Sequence, residues 1–312
     1  EFLWVILRLT ISTLVLSLPA RAAQDQPLEI TDVTYKSEEG TVASKLYKLK
    51  DLRGRAPAIL VLPGRGRDFS GMEWLIKPLA QNGYAVLAIG YRGIPVRYYL
   101  KDVEDARNGI THLESLAYVD PARIGIFGHS RGGMAALMTA ASGDKRVRSV
   151  VSTSAPTDHF KSVEEKKFSA AHYPDRMRTR EKPPDEDPEY YRSISAIYHA
   201  SKMRDVPIFL IHGAADFLCF VDHSLNMYGA LKVAGNRQAR LEVIPGAGHF
   251  FERGFSGYRS RYNTRPNEGR QYEDPKVSGC GRRRGHRVQR RRRRAGIGCR
   301  QHQAIRSAGD PA

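Results

Sequence analysis

At 312 residues, 41% of them hydrophobic, the chain is long enough to bury one large core and has the ordinary composition of a globular protein. Its net charge of +17 does not describe a basic fold: residues 276–312 hold Lys276 and eleven arginines against Asp310 alone, so +11 of that excess lies there. This distribution argues against a nucleic-acid footprint on the main domain. The three cysteines, Cys219, Cys280 and Cys299, give neither a zinc spacing nor a disulfide framework.

In chain order, residues 9–18 form an apolar run preceded by Arg8 and followed by Pro19-Ala20-Arg21-Ala22-Ala23, an A-x-A cleavage pattern. The expectation is a signal peptide over residues 1–22, cut after Ala22 or Ala23, and a secreted or periplasmic protein. The rival is an uncleaved membrane anchor, opposed by Arg8 in the middle of the 2–18 stretch.

Residues 30–36 and 41–48 alternate apolar and polar side chains around Ser37-Glu38-Glu39-Gly40, which predicts an antiparallel hairpin. From residue 58 the text changes. Short apolar runs at 58–62, 85–91, 123–127, 147–154, 208–212 and 239–244 alternate with helical stretches at 72–81, 100–116, 132–141, 193–203 and 222–234. That alternation predicts an α/β domain over residues 28–275: a mostly parallel eight-stranded sheet with helices on both faces.

One connection is too long for such a domain. Residues 155–192 are dense in charge and broken by Pro183-Pro184 and Asp185-Glu186-Asp187-Pro188. The expectation is a short cap insertion over the carboxyl ends of the strands, with a plain surface loop as the alternative. Residues 276–312 have apolar positions without a period and an unbroken basic run at 290–294, so they are set apart as a tail. A disordered extension, a basic arm and a shifted reading frame all fit it.

The stretch that carries chemistry is Gly128-His129-Ser130-Arg131-Gly132, a G-x-S-x-G between the apolar run Ile124, Ile126, Phe127 and a small-residue helix. A serine on such a strand-to-helix bend projects its hydroxyl, and glycines at Gly128 and Gly132 let neighbouring backbone approach. Ser130 is the candidate nucleophile. The Arg131 N–H, at a helix start, is a candidate oxyanion donor.

A serine needs a base, and the base needs an orienting carboxylate. His249 follows the last strand across the Gly-rich Pro245-Gly246-Ala247-Gly248, and Asp216 lies three residues past the strand that ends His212-Gly213. Asp222 competes as the acid but stands where a helix N-cap is expected. For a second oxyanion donor the loop Pro63-Gly64-Arg65-Gly66 offers the Arg65 N–H, against the alternative of an ordinary turn.

The G-x-S-x-G-G of Gly128 to Gly133, the H-G-x-x-D of His212 to Asp216, the Gly-rich loop into His249 and the Tyr118-Val119-Asp120-Pro121 lead-in resemble the prolyl oligopeptidase and dienelactone hydrolase branches of the α/β-hydrolase superfamily. The resemblance covers roughly residues 28–258. It implies the α/β-hydrolase fold, a Ser130, Asp216, His249 triad, no metal and no organic cofactor. Two departures matter: Pro63-Gly64 replaces the usual His-Gly, and the parallel-sheet pattern begins by residue 58, which leaves no room for a preceding β-propeller. An acidic signature for gripping a peptide amino terminus is not identifiable.

The expected reaction is two-step acyl transfer on small substrates, with carboxylic esters ranked first and exopeptidase action second. A non-catalytic binding protein on the same fold is the alternative of another class. The partners expected are a small ester or short peptide, no nucleic acid for the main domain, and a membrane only through an uncleaved leader.

Overall fold

The central strands read as unbroken apolar runs because both of their faces are covered. In the computed structural model, which describes residues 26–38, 40–64, 69–92, 99–168 and 182–251, each strand deals its side chains alternately to two cores. Ala58, Leu60 and Leu62 enter one and Val61 the other; Ile208 and Leu210 enter one, Phe209 and Ile211 the other. The expected leader, Arg65, residues 169–181 of the expected cap and the basic tail lie outside the described residues.

The strands are β1 (Leu28–Ser37), β2 (Gly40–Leu49), β3 (Ala56–Leu62), β4 (Ala85–Ile89), β5 (Val119–His129), β6 (Val147–Thr153), β7 (Ile208–Gly213) and β8 (Arg240–Ile244). They form one eight-stranded sheet in the order β1-β2-β4-β3-β5-β6-β7-β8. The expected hairpin is β1 with β2, which joins antiparallel to β4; every pairing from β4 through β8 is parallel. This is the mostly parallel eight-stranded sheet that the periodicity predicts, and it agrees with the α/β-hydrolase fold that the motif resemblance implies.

Helices α1 (Glu73–Gln81), α2 (Tyr99–Ser115), α3 (Arg131–Ala141), α4 (His159–Phe168), α5 (Pro188–Ser193) and α6 (Asp222–Val233) connect or overlie them. Leu75, Ile76 and Leu79 of α1 cover one face; α2, α3 and α6 cover the other through Ile110, Met134 and Met227.

The helix expected over 193–203 is a short α5 followed by a 3-10 segment, Ala196–Met203. Pro188 at the helix start and the Asp187 carboxylate, which accepts from the Tyr190 N–H at 3.3 Å, begin α5 early. The buried Ser195 hydroxyl then donates to the Tyr191 carbonyl at 2.7 Å and accepts from the His159 N–H at 2.8 Å, so the chain breaks there to tie into α4. In turn, α4 is fastened to α6: His223 Nε2 lies 3.1 Å from Glu165 Oε2, and the Thr157 hydroxyl donates to the His223 carbonyl at 2.7 Å.

The hairpin is held to α2 by a buried polar knot. Asp105, 1% exposed, receives the Ser37 hydroxyl on Oδ1 at 2.7 Å and pairs with the Arg92 guanidinium, while the Tyr35 hydroxyl donates to the Asp105 carbonyl at 2.8 Å. Removing one member of a buried pair leaves an uncompensated charge. Asp105→Ala is expected to cost about 3–5 kcal/mol, read as a shift in the urea midpoint; a loss within about 0.5 kcal/mol, the range of an ordinary surface substitution, would show the knot to be dispensable.

Candidate active site

Ser130 stands between β5 and α3 with φ 54° and ψ −117°, a backbone conformation that L-residues rarely adopt. It is held there by its N–H, which donates to the Thr153 carbonyl of β6 at 2.8 Å, and by its carbonyl, which accepts from Met134 at 3.1 Å. The glycines on either side are required by contact. A Cβ on Gly128 would sit 2.1 Å from the Gly132 carbonyl oxygen, and one on Gly132 would sit 2.1 Å from that of Leu62. Both elbow glycines expected from the motif therefore have a steric reason.

Asp216 and His249, 33 residues apart, are brought together: His249 Nδ1 lies 2.7 Å from Asp216 Oδ2, and each residue is 5% exposed. Gly213 makes this possible, because the loops after β7 and β8 touch through it. A Cβ there would lie 2.3 Å from the Ala247 oxygen and 2.5 Å from that of Gly248. The Ala215 N–H donates to Ala247 at 2.9 Å and the Ala214 N–H to Ile244 at 2.9 Å, sealing the two loops together.

Burial would raise the Asp216 carboxyl, but hydrogen bonds from His212 and His249, the nearby His249 and the Cys219 N–H outweigh it and hold it well below the usual carboxylate range. Its Oδ1 accepts from the Leu218 and Cys219 N–H groups, both at 2.9 Å. The carboxylate is thus a fixed charge, and the His249 proton is placed on Nδ1, leaving Nε2 as the basic nitrogen.

His212, near the end of β7, bonds to the turn that follows it. Its Nε2 is 2.8 Å from the Cys219 carbonyl and 3.2 Å from Asp216 Oδ2, while Nδ1 meets the Ser224 hydroxyl at 2.7 Å. Two acceptors on Nε2 place the ring proton there. His212 therefore clamps both ends of the turn that carries the acid.

His129, the residue before Ser130, packs against the base. Its Nδ1 is 3.0 Å from the Thr153 hydroxyl, and its ring centroid is 5.0 Å from that of His249 and 5.4 Å from that of Phe250. The imidazole after β8 thus lies against the residue next to Ser130. No hydrogen bond joins Ser130 Oγ to His249 among the described residues; such contacts commonly close only around substrate.

Arg131 is the first residue of α3, so its amide belongs to the helix turn that faces the elbow. Arg65 lies outside the described residues, but the turn leading to it is in place: a Cβ on Gly64 would meet Ser130 Cβ at 3.7 Å and His129 Cδ2 at 3.5 Å. Asp222 opens α6 in its first turn, behind the N-cap Val221. Among the described residues no three His, Cys, Asp or Glu side chains are grouped to hold a metal ion.

The sequence profile of the prolyl oligopeptidase family matches residues 69–265. The chain is 27% identical over 225 residues to the acylamino-acid-releasing enzyme of Arabidopsis thaliana, a match spanning 66% of this chain and 29% of that enzyme. It is 29% identical to the uncharacterized peptidase YtmA of Bacillus subtilis over 63% of this chain and 72% of that protein. The acylaminoacyl peptidase of Pyrococcus horikoshii superposes with a TM-score of 0.60 at 21% identity, over 72% of this chain and 38% of that one, which shows the shared fold. The chain belongs to the prolyl oligopeptidase family and has the α/β-hydrolase fold.

Two outcomes follow from this geometry. Gly213→Ala should cost about 1–3 kcal/mol by overpacking and part the two loops, read as a lowered melting temperature; unchanged stability would mean the loops are not in contact. Burial, with His249 beside it, holds His129 down to about 3 from its ordinary 6.5. Below pH 6.5 the unfolded chain therefore binds a proton that the folded one refuses, so stability falls as pH drops toward 3. His129→Gln is expected to flatten that slope in thermal melts between pH 7 and 4, and an identical slope in the variant would contradict a buried neutral ring.

Proposed function

We propose that this chain is a serine peptidase acting on short substrates, with Ser130 as nucleophile, His249 as general base and acid, and Asp216 as the carboxylate that steadies the imidazolium. The observation that carries it is the 2.7 Å bond from Asp216 to His249, presented beside a serine on a strained turn. In the first step Ser130 Oγ attacks the acyl carbonyl and gives its proton to His249 Nε2. The developing oxyanion is held by the Arg131 N–H and, from the turn after β3, the Arg65 N–H. His249 then protonates the leaving amine, and water repeats the sequence to release the acid.

The ranking of esters over peptides made from the residues is reversed here. The acylamino-acid-releasing enzyme and peptidase YtmA are both named for peptide chemistry, and the match to YtmA takes in 72% of its length. Esters are the second reading, because the sequence offers no recognisable acidic grip for a peptide amino terminus and an alcohol leaves more readily than an amine. Residues 155–192, with α4 and α5, are read as the cap that limits substrate size.

A fluorophosphonate probe is expected to label the protein on Ser130, and Ser130→Ala to abolish labelling while the melting temperature is kept. Labelling that persists in the variant would refute the nucleophile. Hydrolysis of acylaminoacyl and aminoacyl anilides should exceed that of short acyl nitrophenyl esters after correction for their uncatalysed rates; the reverse order selects the ester reading.

A further inference from the structure

The acid of the proposed triad is met by one imidazole more than the reaction requires. Asp216 divides its two oxygens between different tasks. Oδ1 accepts the Leu218 and Cys219 N–H groups, both at 2.9 Å, and belongs to the turn. Oδ2 faces two rings, His249 Nδ1 at 2.7 Å and His212 Nε2 at 3.2 Å. His212 is fully buried, and the Ser224 hydroxyl of α6 meets its Nδ1 at 2.7 Å, which fixes the ring from its other side. With the proton on Nε2, that edge lies against the Cys219 carbonyl at 2.8 Å and against Oδ2 together. A clamp made only for the fold would be complete with the Cys219 carbonyl and the Ser224 hydroxyl. It would have no need to share the oxygen that holds His249.

We propose that His212 is a positioning residue whose ring N–H draws on the charge of Asp216 Oδ2 and so sets how strongly the carboxylate holds the His249 imidazolium. The effect is electrostatic. When Ser130 gives up its proton, positive charge appears on His249, and the charge on Oδ2 stabilises it. A second donor on the same oxygen takes up part of that charge, so His249 releases its proton more readily than it would beside an unshared carboxylate. The other titratable groups around the pair come from three elements and the turn. His129 of β5 is kept neutral by burial, its ring centroid 5.0 Å from that of His249. In the acid turn itself, burial pushes the Cys219 thiol up, so it stays uncharged. Glu165 of α4 acts on that thiol and is occupied by His223 of α6, with 3.1 Å between Oε2 and Nε2.

The inference rests on the serine hydrolase reading, and the test separates the two. The readout is the rate at which a fluorophosphonate labels Ser130 in the full chain as pH is varied, whose acid limb reports protonation of His249. His212→Asn keeps an amide where Nδ1 meets Ser224 and removes the donor to Oδ2. Its acid limb is expected to move up by about half to one pH unit, the worth of one hydrogen bond. His212→Gln sets an N–H near the position of Nε2 and is expected to bring the limb back toward wild type. A merely structural histidine would lower the melting temperature in both variants and leave the limb in place. Should neither variant fold, NMR of wild-type protein carrying isotope-labelled histidine decides: the His212 ring N–H resonance is expected to move as His249 titrates, and one that stays fixed through that titration would overturn the inference. Wild type that is not labelled at Ser130 would remove the reading and the inference together. Wild type that is labelled, with the limb in His212→Asn unmoved or moved down, would overturn the inference alone. Equal upward shifts in both variants would also overturn it, by tracing the effect to loss of the ring and not of its N–H.

Discussion

At Gly128, Gly132 and Gly213 the backbone of another segment leaves no room for a side chain, and the site is built on these contacts. At Gly128 and Gly132 the strand, the bend and the following helix touch backbone to backbone, so Ser130 can be held at φ 54° between them. At Gly213 two loops meet that belong to neighbouring strands, β7 and β8. Close backbone contact of this kind is a stiffer constraint than a hydrogen bond, since displacing it by half an ångström means either a clash or a void. The chemistry proposed for the site needs that stiffness, because proton transfer is sensitive to distances of the same size.

The electrostatics follow from the packing. Asp216 is buried yet stays ionised because two backbone N–H groups and two imidazoles converge on it. Burial keeps the remaining histidine of the cluster, His129, neutral, so its ring brings no positive charge to the Asp216–His249 pair. Arg131 lends its backbone to the elbow, while its side chain turns away to Asp102.

Much of this was legible in the chain. Strand periodicity anticipated the sheet, because an apolar run covered on both faces leaves an unbroken signature, and short motifs pointed to Ser130, Asp216 and His249, because each lies within a few residues of a strand end. The likeness to prolyl oligopeptidases is borne out by the family match. What could not be read were contacts between residues distant in sequence and free of any motif. Asp102 and Arg131 are 29 residues apart, and the position after the serine carries no pattern in G-x-S-x-G. Nor did periodicity reveal that the 193–203 helix gives way at Ser195, since the cause is a hydroxyl bound to α4. The preference for esters came from leaving-group chemistry, whereas two of the relatives are named for peptide chemistry.

The seal between the β7 and β8 loops has a consequence for how the machinery tolerates motion. Because Ala214 and Ala215 bind the carbonyls of Ile244 and Ala247, the carboxylate and the imidazole ride on one rigid raft, and breathing of the surrounding protein carries them as a unit. The serine is moored separately, to β6 and α3. The single adjustable gap in the proposed relay is therefore the last one, between ring and hydroxyl, and an arriving substrate that draws those two moorings together would complete the circuit without rebuilding either half.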